Sequence, residues 1–118
     1  MTDPLVRLQR AESALYERLC EAIASLEDEE LAGLVVLGAV LARDKKDATV
    51  MIDGGGAAQE DRAHILAKLR KASGYIASYV AGALSWRRCP ILHFRFDDSL
   101  ENRTRLDAIF DRIHKGDK

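Results

Sequence analysis

Two short apolar runs joined by a polar link constrain the fold of this chain most. Residues 34–42 and 48–52 are apolar and contain several β-branched side chains, and the polar residues 43–47 separate them. Such runs favour strands. Two strands with so short a connection pair antiparallel, because a parallel pair needs a crossover of about a dozen residues or more. The sequence therefore predicts a β-hairpin in the first half of the chain.

Helical spacing lies on both sides of this hairpin. Between residues 4 and 26, leucine and isoleucine recur at intervals of three, four or seven, which predicts an amphipathic helix. Pro4 suits the first turn of that helix, with Asp3 or Thr2 as its cap. A second helical pattern runs from about residue 58 to residue 84.

A third strand and a last helix complete the pattern. After Pro90, apolar residues alternate with others over residues 91–96, and this period of two predicts a half-buried strand. Asp98 is the predicted cap of a last helix, and the end of the chain from about residue 115 is expected to fray. The order of elements predicts one α+β domain over residues 1–118, with helices packed on one face of a three-stranded sheet.

A break in the second helical pattern is the feature that points to function. Ser73 and Gly74 interrupt the apolar spacing, which resumes at Ile76. Glycine inside a helix costs about 1 kcal/mol relative to alanine, and serine competes for backbone hydrogen bonds. The sequence therefore predicts a kink, and a kink would expose backbone N–H groups that can bind phosphate.

Charge is distributed unevenly around this predicted kink. The net charge is only −1, yet residues 62–96 contain seven lysines and arginines and no acidic residue. An acidic block at residues 27–30 is expected to form a loop with Gly33 after the first helix. One basic face is what a polyanion such as RNA would meet, although basic residues in a last helical turn also serve as helix caps.

Three stretches resemble one known family. Residues 69–76 read Leu-Arg-Lys-Ala-Ser-Gly-Tyr-Ile, residues 87–94 read Arg-Arg-Cys-Pro-Ile-Leu-His-Phe, and residues 97–100 read Asp-Asp-Ser-Leu. In this order they are similar to bacterial ribosome-binding factor A. The likeness extends over about residues 5–113 and includes the hairpin, where Lys45 stands in place of the hydrophobic residue that is usual in the family.

The resemblance implies a type II KH-like fold with the order α-β-β-α-kink-α-β-α. Ordinary KH domains clamp RNA with a G-x-x-G loop. None of the eight glycines forms that motif, and the Ala72-Ser73-Gly74 kink takes its place in this family. The resemblance also implies a cytoplasmic, monomeric protein that binds the free 30S subunit and its 16S rRNA and assists late maturation, especially in the cold. It implies no catalytic activity, no cofactor, no small-molecule substrate and no membrane partner.

The residues expected to contact RNA are the cations of the first helix, the kink with its neighbours, and the cations around the third strand. The cations would fix the position of the protein on the RNA by contacting phosphates, and a tyrosine beside the kink could stack on a base. They are Arg7, Arg10, Lys68, Arg70, Lys71, Ala72, Ser73, Gly74, Tyr75, Arg87, Arg88 and Arg95. Trp86 is expected to pack at the edge of the core, and stacking on an RNA base is the second alternative. His93 could meet RNA or decorate a solvated strand face.

Other chemistries find less support. Cys20 and Cys89 form no C-x-x-C motif, and the three histidines have no partner at ligand spacing, so neither a disulfide nor a metal site is expected. Residues 54–56 lack the rest of a G-x-G-x-x-G fingerprint. No run approaches the roughly 20 apolar residues of a membrane span. A small hydrolase would need a paired nucleophile and base, which the sequence does not offer.

A protein-interaction module is the alternative function. Such a module would bind its partner, or a second copy, through an apolar patch on the open face of the sheet. Ile91 and Val36 are the apolar candidates for that patch, and two residues are too few to predict one.

Overall fold

The computed structural model describes residues 3–55 and 58–98 as a three-stranded sheet with helices against one face. The elements in chain order are α1 (Pro4–Ala24), α2 (Glu29–Ala32), β1 (Val36–Leu41), β2 (Asp47–Asp53), α3 (Gln59–Leu84) and β3 (Ile91–Asp97). The predicted α+β class, the first helix and the three strands are confirmed. The predicted last helix and the expected frayed end lie outside the described residues.

The central strand of the sheet pairs differently with its two neighbours. β1 and β2 form the predicted antiparallel hairpin, in which Ala39 lies opposite Val50. β2 and β3 are parallel, because α3 carries the chain back along the sheet between them. The hairpin loop therefore lies at the same end of the sheet as the start of β3. There the Ile91 N–H donates to the Lys46 carbonyl oxygen at 2.9 Å.

The core lies between the sheet and the two long helices. Ala48, Val50 and Ile52 of β2 are buried, and the half-buried side chains of β3 lie beside them in register, as predicted. His93 and Arg95 of β3 point to the opposite face and are exposed. The fully buried side chains that the helices contribute are Leu15, Leu19, Ile23, Leu69, Ile76 and Val80.

Side-chain caps explain where the first two helices begin. The Asp3 carboxylate accepts from the Leu5 N–H at 3.0 Å and caps α1, as predicted. Asp28 caps α2 by accepting from two backbone N–H groups of that helix. The acidic block at 27–30 is therefore partly helical, and the predicted loop is wrong at this point. The physical reason is the cap together with Leu31, which is buried against the core.

α3 runs without interruption through the predicted kink. The whole segment is helical, and the Ser73 hydroxyl donates to the Arg70 carbonyl oxygen at 2.7 Å within the helix. A Cβ at Gly74 would meet no atom within 4 Å. The predicted division into two helices is wrong, because Leu69 and Ile76 are buried on either side of residues 73–74 and hold one helix in place. Their burial outweighs a local cost of about 1 kcal/mol.

Gly74→Ala should stabilise the protein by about 0.5–1 kcal/mol. In a continuous helix alanine has the higher propensity, it restricts the unfolded chain, and open space surrounds the new methyl group. Urea unfolding followed by circular dichroism measures the change. Gly82→Ala is the matched control, since that glycine also lies in α3 with open space around it. A loss of stability at position 74 alone would show that this glycine serves a strained backbone.

Candidate nucleic-acid interface

The cations nearest the predicted kink differ in their partners. Arg70 and Lys71 are exposed on α3 and form no ion pair with any residue in the described ranges. Lys68, in contrast, places its Nζ 2.7 Å from Asp28 Oδ2 and 3.1 Å from Glu30 Oε1. The hydrogen bond between Lys68 and Asp28 raises the pKa of the lysine and lowers the pKa of the aspartate. The acidic block thus neutralises one of the three cations predicted here.

The acid-free stretch of sequence is not acid-free in space. Arg62 donates two hydrogen bonds to the Asp98 carboxylate, at 3.0 and 2.7 Å, and they lower the pKa of that carboxyl. The same guanidinium lies 5.3 Å from the centroid of the Phe96 ring. Asp98 therefore links β3 to α3, whereas the helix predicted to follow it lies outside the described residues. Arg62 and Lys68 thus have acidic partners, whereas the other cations of residues 62–96 form no ion pair with a described residue.

The predicted phosphate site at the kink is not formed, because a continuous helix uses its interior N–H groups in its own hydrogen bonds. Ala72 and Ser73 are half-buried, and Gly74 is exposed. Tyr75 is 50% exposed, and its hydroxyl lies 3.1 Å from Ser25 Oγ at the end of α1. This segment therefore offers an exposed surface of side chains, with an accessible tyrosine ring, in place of a backbone cradle.

A second group of cations lies where the hairpin loop meets the helices. Contacts between the end of α1 and the middle of α3 show that the two helices run antiparallel, so the start of α1 lies near the end of α3. Arg7, Arg43 and Lys45 line a cavity of about 490 Å³ there. Lys45 and Arg88 line another of about 280 Å³. These four residues, here called the hairpin-end surface, form no ion pair within the described part of the chain.

This surface combines two predicted residues, Arg7 and Arg88, with two for which the sequence predicts only a polar turn. Lys45 has a φ of 61°, and its N–H donates to the Ala42 carbonyl oxygen at 2.8 Å. Glycine or asparagine is favoured in this left-handed conformation. The hairpin turn that this hydrogen bond closes places its last residue in the left-handed conformation, although lysine is uncommon there. The sequence contains one signal for Arg43 and Lys45. The hairpin link 43–47 has neither glycine nor asparagine to occupy a left-handed position.

The remaining predicted residues are distributed over two faces. Arg10 is exposed on α1, and Arg87 is exposed in the segment before β3, so both adjoin the hairpin-end surface in sequence. Arg95 lies on the open face of the sheet and does not share a surface with the cations of the helices. His93 on that same face lies 2.8 Å from Asp47 (Nε2 to Oδ1), across the pair of parallel strands.

Comparison with known proteins identifies the family. The family model described as ribosome-binding factor A matches residues 7–110. The chain belongs to the ribosome-binding factor A family. Ribosome-binding factor A of Wolinella succinogenes is 40% identical over 115 residues, covering 98% of this chain and 97% of the relative. That of Helicobacter pylori strain J99 is 45% identical over 108 residues, covering 92% of each chain. As a family member, the protein is a ribosome-binding factor that acts in ribosome biogenesis.

Two solved structures share the fold of this family member. The crystal structure of ribosome-binding factor A from Thermus thermophilus has a TM-score of 0.66 and 27% identity, covering 75% of this chain and 93% of that chain. The solution structure of a putative ribosome binding factor A from Thermotoga maritima has a TM-score of 0.67 and 25% identity, covering 80% and 91%. The chain therefore has the α+β fold of known ribosome-binding factor A structures, as predicted.

Two further searches bear on possible partners of the described residues. None of the helices in residues 3–55 and 58–98 combines the length and the apolar character that a bilayer span requires. Within the same ranges, histidine, cysteine, aspartate and glutamate side chains do not gather in a group of three or more that could hold a metal ion.

Proposed function

We propose that this member of the ribosome-binding factor A family binds the 16S rRNA of the free 30S subunit and assists late maturation of that subunit, including rRNA processing. Family membership supports the ribosome as partner. The cations without acidic partners support RNA as the component contacted, because phosphate contacts dominate the affinity of proteins for nucleic acid. In this proposal the protein acts in the cytoplasm as a monomer, without catalysis or cofactor, and its contribution is largest in the cold.

How the structure divides its cations is the observation that carries this proposal. Arg62 and Lys68 have acidic partners in other parts of the fold, and Arg18 pairs with Glu21 within α1. The hairpin-end surface, together with Arg70 and Lys71, has no such partner among the described residues. Although the net charge of the protein is −1, these unpaired cations provide a local attraction for a polyanion.

The proposed interface has two parts on the helical side of the molecule. The first part is the hairpin-end surface with the adjoining Arg10 and Arg87. The second part is the exposed side of α3, where Arg70 and Lys71 meet phosphates and Tyr75 offers its ring to a base. The small side chains of residues 72–74 allow the RNA backbone to approach α3 closely.

Lys68 takes part in this interface only by exchanging partners. Its ammonium group is paired with Asp28 and Glu30. A phosphate can therefore bind Lys68 only by displacing both carboxylates. We therefore assign less binding energy to Lys68 than to Arg70 or Lys71.

Sedimentation with purified subunits tests the proposed function. The protein should sediment with free 30S subunits and not with 50S subunits or complete 70S ribosomes. If about four cations meet phosphates, a plot of log affinity against log salt concentration should have a slope of roughly −3 to −4. Equal binding to 50S subunits, or an affinity that salt does not change, would contradict rRNA contact through this surface.

The protein-interaction alternative receives one supporting observation and one that opposes it. Ile91 is 64% exposed and Val40 is 51% exposed, and both lie on the open face of the sheet. Val36, the other residue suggested by the sequence, is buried. His93 and Asp47 form a polar pair on the same face, so the exposed apolar side chains do not form the continuous patch that a protein interface requires.

A further inference from the structure

A cavity beside Trp86 is a feature that the proposed phosphate contacts do not use. Ser85 ends α3 in the left-handed conformation with a φ of 55°, and the Trp86 N–H donates to the Ala81 carbonyl oxygen at 2.9 Å. This helix-ending turn fixes the backbone from which the indole projects. The half-buried Trp86 lines a cavity of about 280 Å³ whose apolar lining includes the buried Leu41 and Pro90.

Two cations of the hairpin-end surface belong to the lining of the same cavity. Lys45 and Arg88 are exposed, and neither forms an ion pair within the described ranges. An apolar slot beside an aromatic ring matches the flat face of an unstacked nucleobase. The two cations in its lining match the phosphates that flank such a base. The volume lies near the lower end of ligand pockets, which span roughly 300–1,000 Å³, and therefore fits one base and not several.

A purely structural role for Trp86 explains only part of this arrangement. A hydrophobic residue commonly follows a helix that ends in the left-handed conformation and packs against its last turn. That packing accounts for an apolar residue at position 86. It does not account for the open space beside the indole, nor for the two cations that line this space.

We propose that this cavity receives one unpaired nucleobase of the bound RNA, stacked on Trp86, with the adjacent phosphates on Lys45 and Arg88. The inference rests on the proposed RNA binding and adds a base-binding subsite to it. The subsite would make the protein prefer single-stranded RNA, because a paired base cannot leave its helix without cost.

Fluorescence of the full-length protein tests the subsite directly, because Trp86 is the single tryptophan of the sequence. A six-nucleotide single-stranded adenylate RNA should quench the indole emission saturably. Inorganic polyphosphate of similar charge should compete for the cations and leave the emission unchanged. Equal quenching by polyphosphate, or saturable RNA binding without any change in emission, would overturn the subsite.

Two substitutions complete the test through binding of a labelled adenylate RNA, measured by fluorescence anisotropy. Trp86→Leu should weaken binding about 5- to 150-fold, which corresponds to the roughly 1–3 kcal/mol of a base stacked on an aromatic side chain. Trp86→Phe, which keeps an aromatic face, should retain most of the affinity that Trp86→Leu loses. Thermal melts show that each variant is folded.

The outcomes separate the subsite from the function on which it rests. Wild-type protein that binds RNA and 30S subunits, together with a folded Trp86→Leu variant of equal affinity, would overturn the subsite alone. Wild-type protein that binds neither the RNA nor the subunits would overturn both the proposed function and the subsite. The wild-type fluorescence titration decides the question even if Trp86→Leu does not fold.

Discussion

Replacing Arg7, Arg43 and Arg88 by glutamine is expected to weaken binding to 30S subunits by roughly 100-fold or more, at about 1 kcal/mol for each charge-assisted contact that is lost. All three side chains line cavities at the hairpin end, and none forms an ion pair in the described part of the chain. The free energy of unfolding should therefore change little. Sedimentation measures the affinity, and urea unfolding measures the stability.

A matched variant separates the position of these charges from their number. Ala58→Asp, Gln59→Glu and Ala63→Glu lower the net charge by the same three units and leave the hairpin-end surface unchanged. These residues are exposed at the start of α3, where acidic side chains suit the helix dipole and where Ala58 provides no side-chain cap. This variant should bind nearly as well as the wild type. A loss as large as that of the arginine variant would show that overall charge, and not the hairpin-end surface, governs binding.

A comparison with the middle of α3 locates the stronger part of the interface. Arg70→Gln with Lys71→Gln removes the two exposed cations beside the predicted kink. Since no backbone cradle supports them in the continuous helix, we expect a smaller loss than for the three arginines. The reverse order of effects would place the main rRNA contact on α3.

Elements set by periodicity were predictable from the sequence, and elements set by tertiary contacts were not. The strands and α1 follow from alternating or helical spacing of apolar residues. The four-residue α2 depends on the cap at Asp28 and on burial of Leu31, so no periodicity reveals it. The continuity of α3 has the same origin. Local preference argues for a break at Ser73 and Gly74, and core packing on both sides overrides it.

The cationic character of the candidate site was predictable from the sequence, but the positions of its unpaired cations were less so. The sequence shows a run of cations without acids, but it cannot show that Asp28 reaches Lys68 or that Asp98 reaches Arg62 across the fold. It also separates Arg7 from Lys45 by the length of α1 and β1, although the fold places both beside one cavity. Pairing in space, and not spacing in sequence, decides which cations remain available for the proposed contacts with RNA.

Gly54→Ala is expected to destabilise the protein by about 1–2 kcal/mol, because the added methyl group displaces the ends of two ion-paired side chains. Gly54 is buried at the end of β2. A Cβ there would overlap the Asp98 Oδ1 and Arg62 Nη2 atoms of the ion pair that joins β3 to α3. Either the pair opens or the strand end shifts, and both remove packing at this end of the sheet. Urea unfolding measures the loss.

The ion pair as the cause of this cost can be tested in a double-mutant cycle. In an Asp98→Ala background the atom nearest the new methyl group is gone, so Gly54→Ala should cost at least about 0.5 kcal/mol less than in the wild type. Equal costs in both backgrounds would assign the effect to the β2 backbone. Gly54 lies at the end of the sheet opposite the hairpin loop, so folded Gly54→Ala protein should keep the affinity of the wild type for 30S subunits. Weakened binding by that folded variant would instead show that rRNA contacts reach the opposite end of the sheet as well.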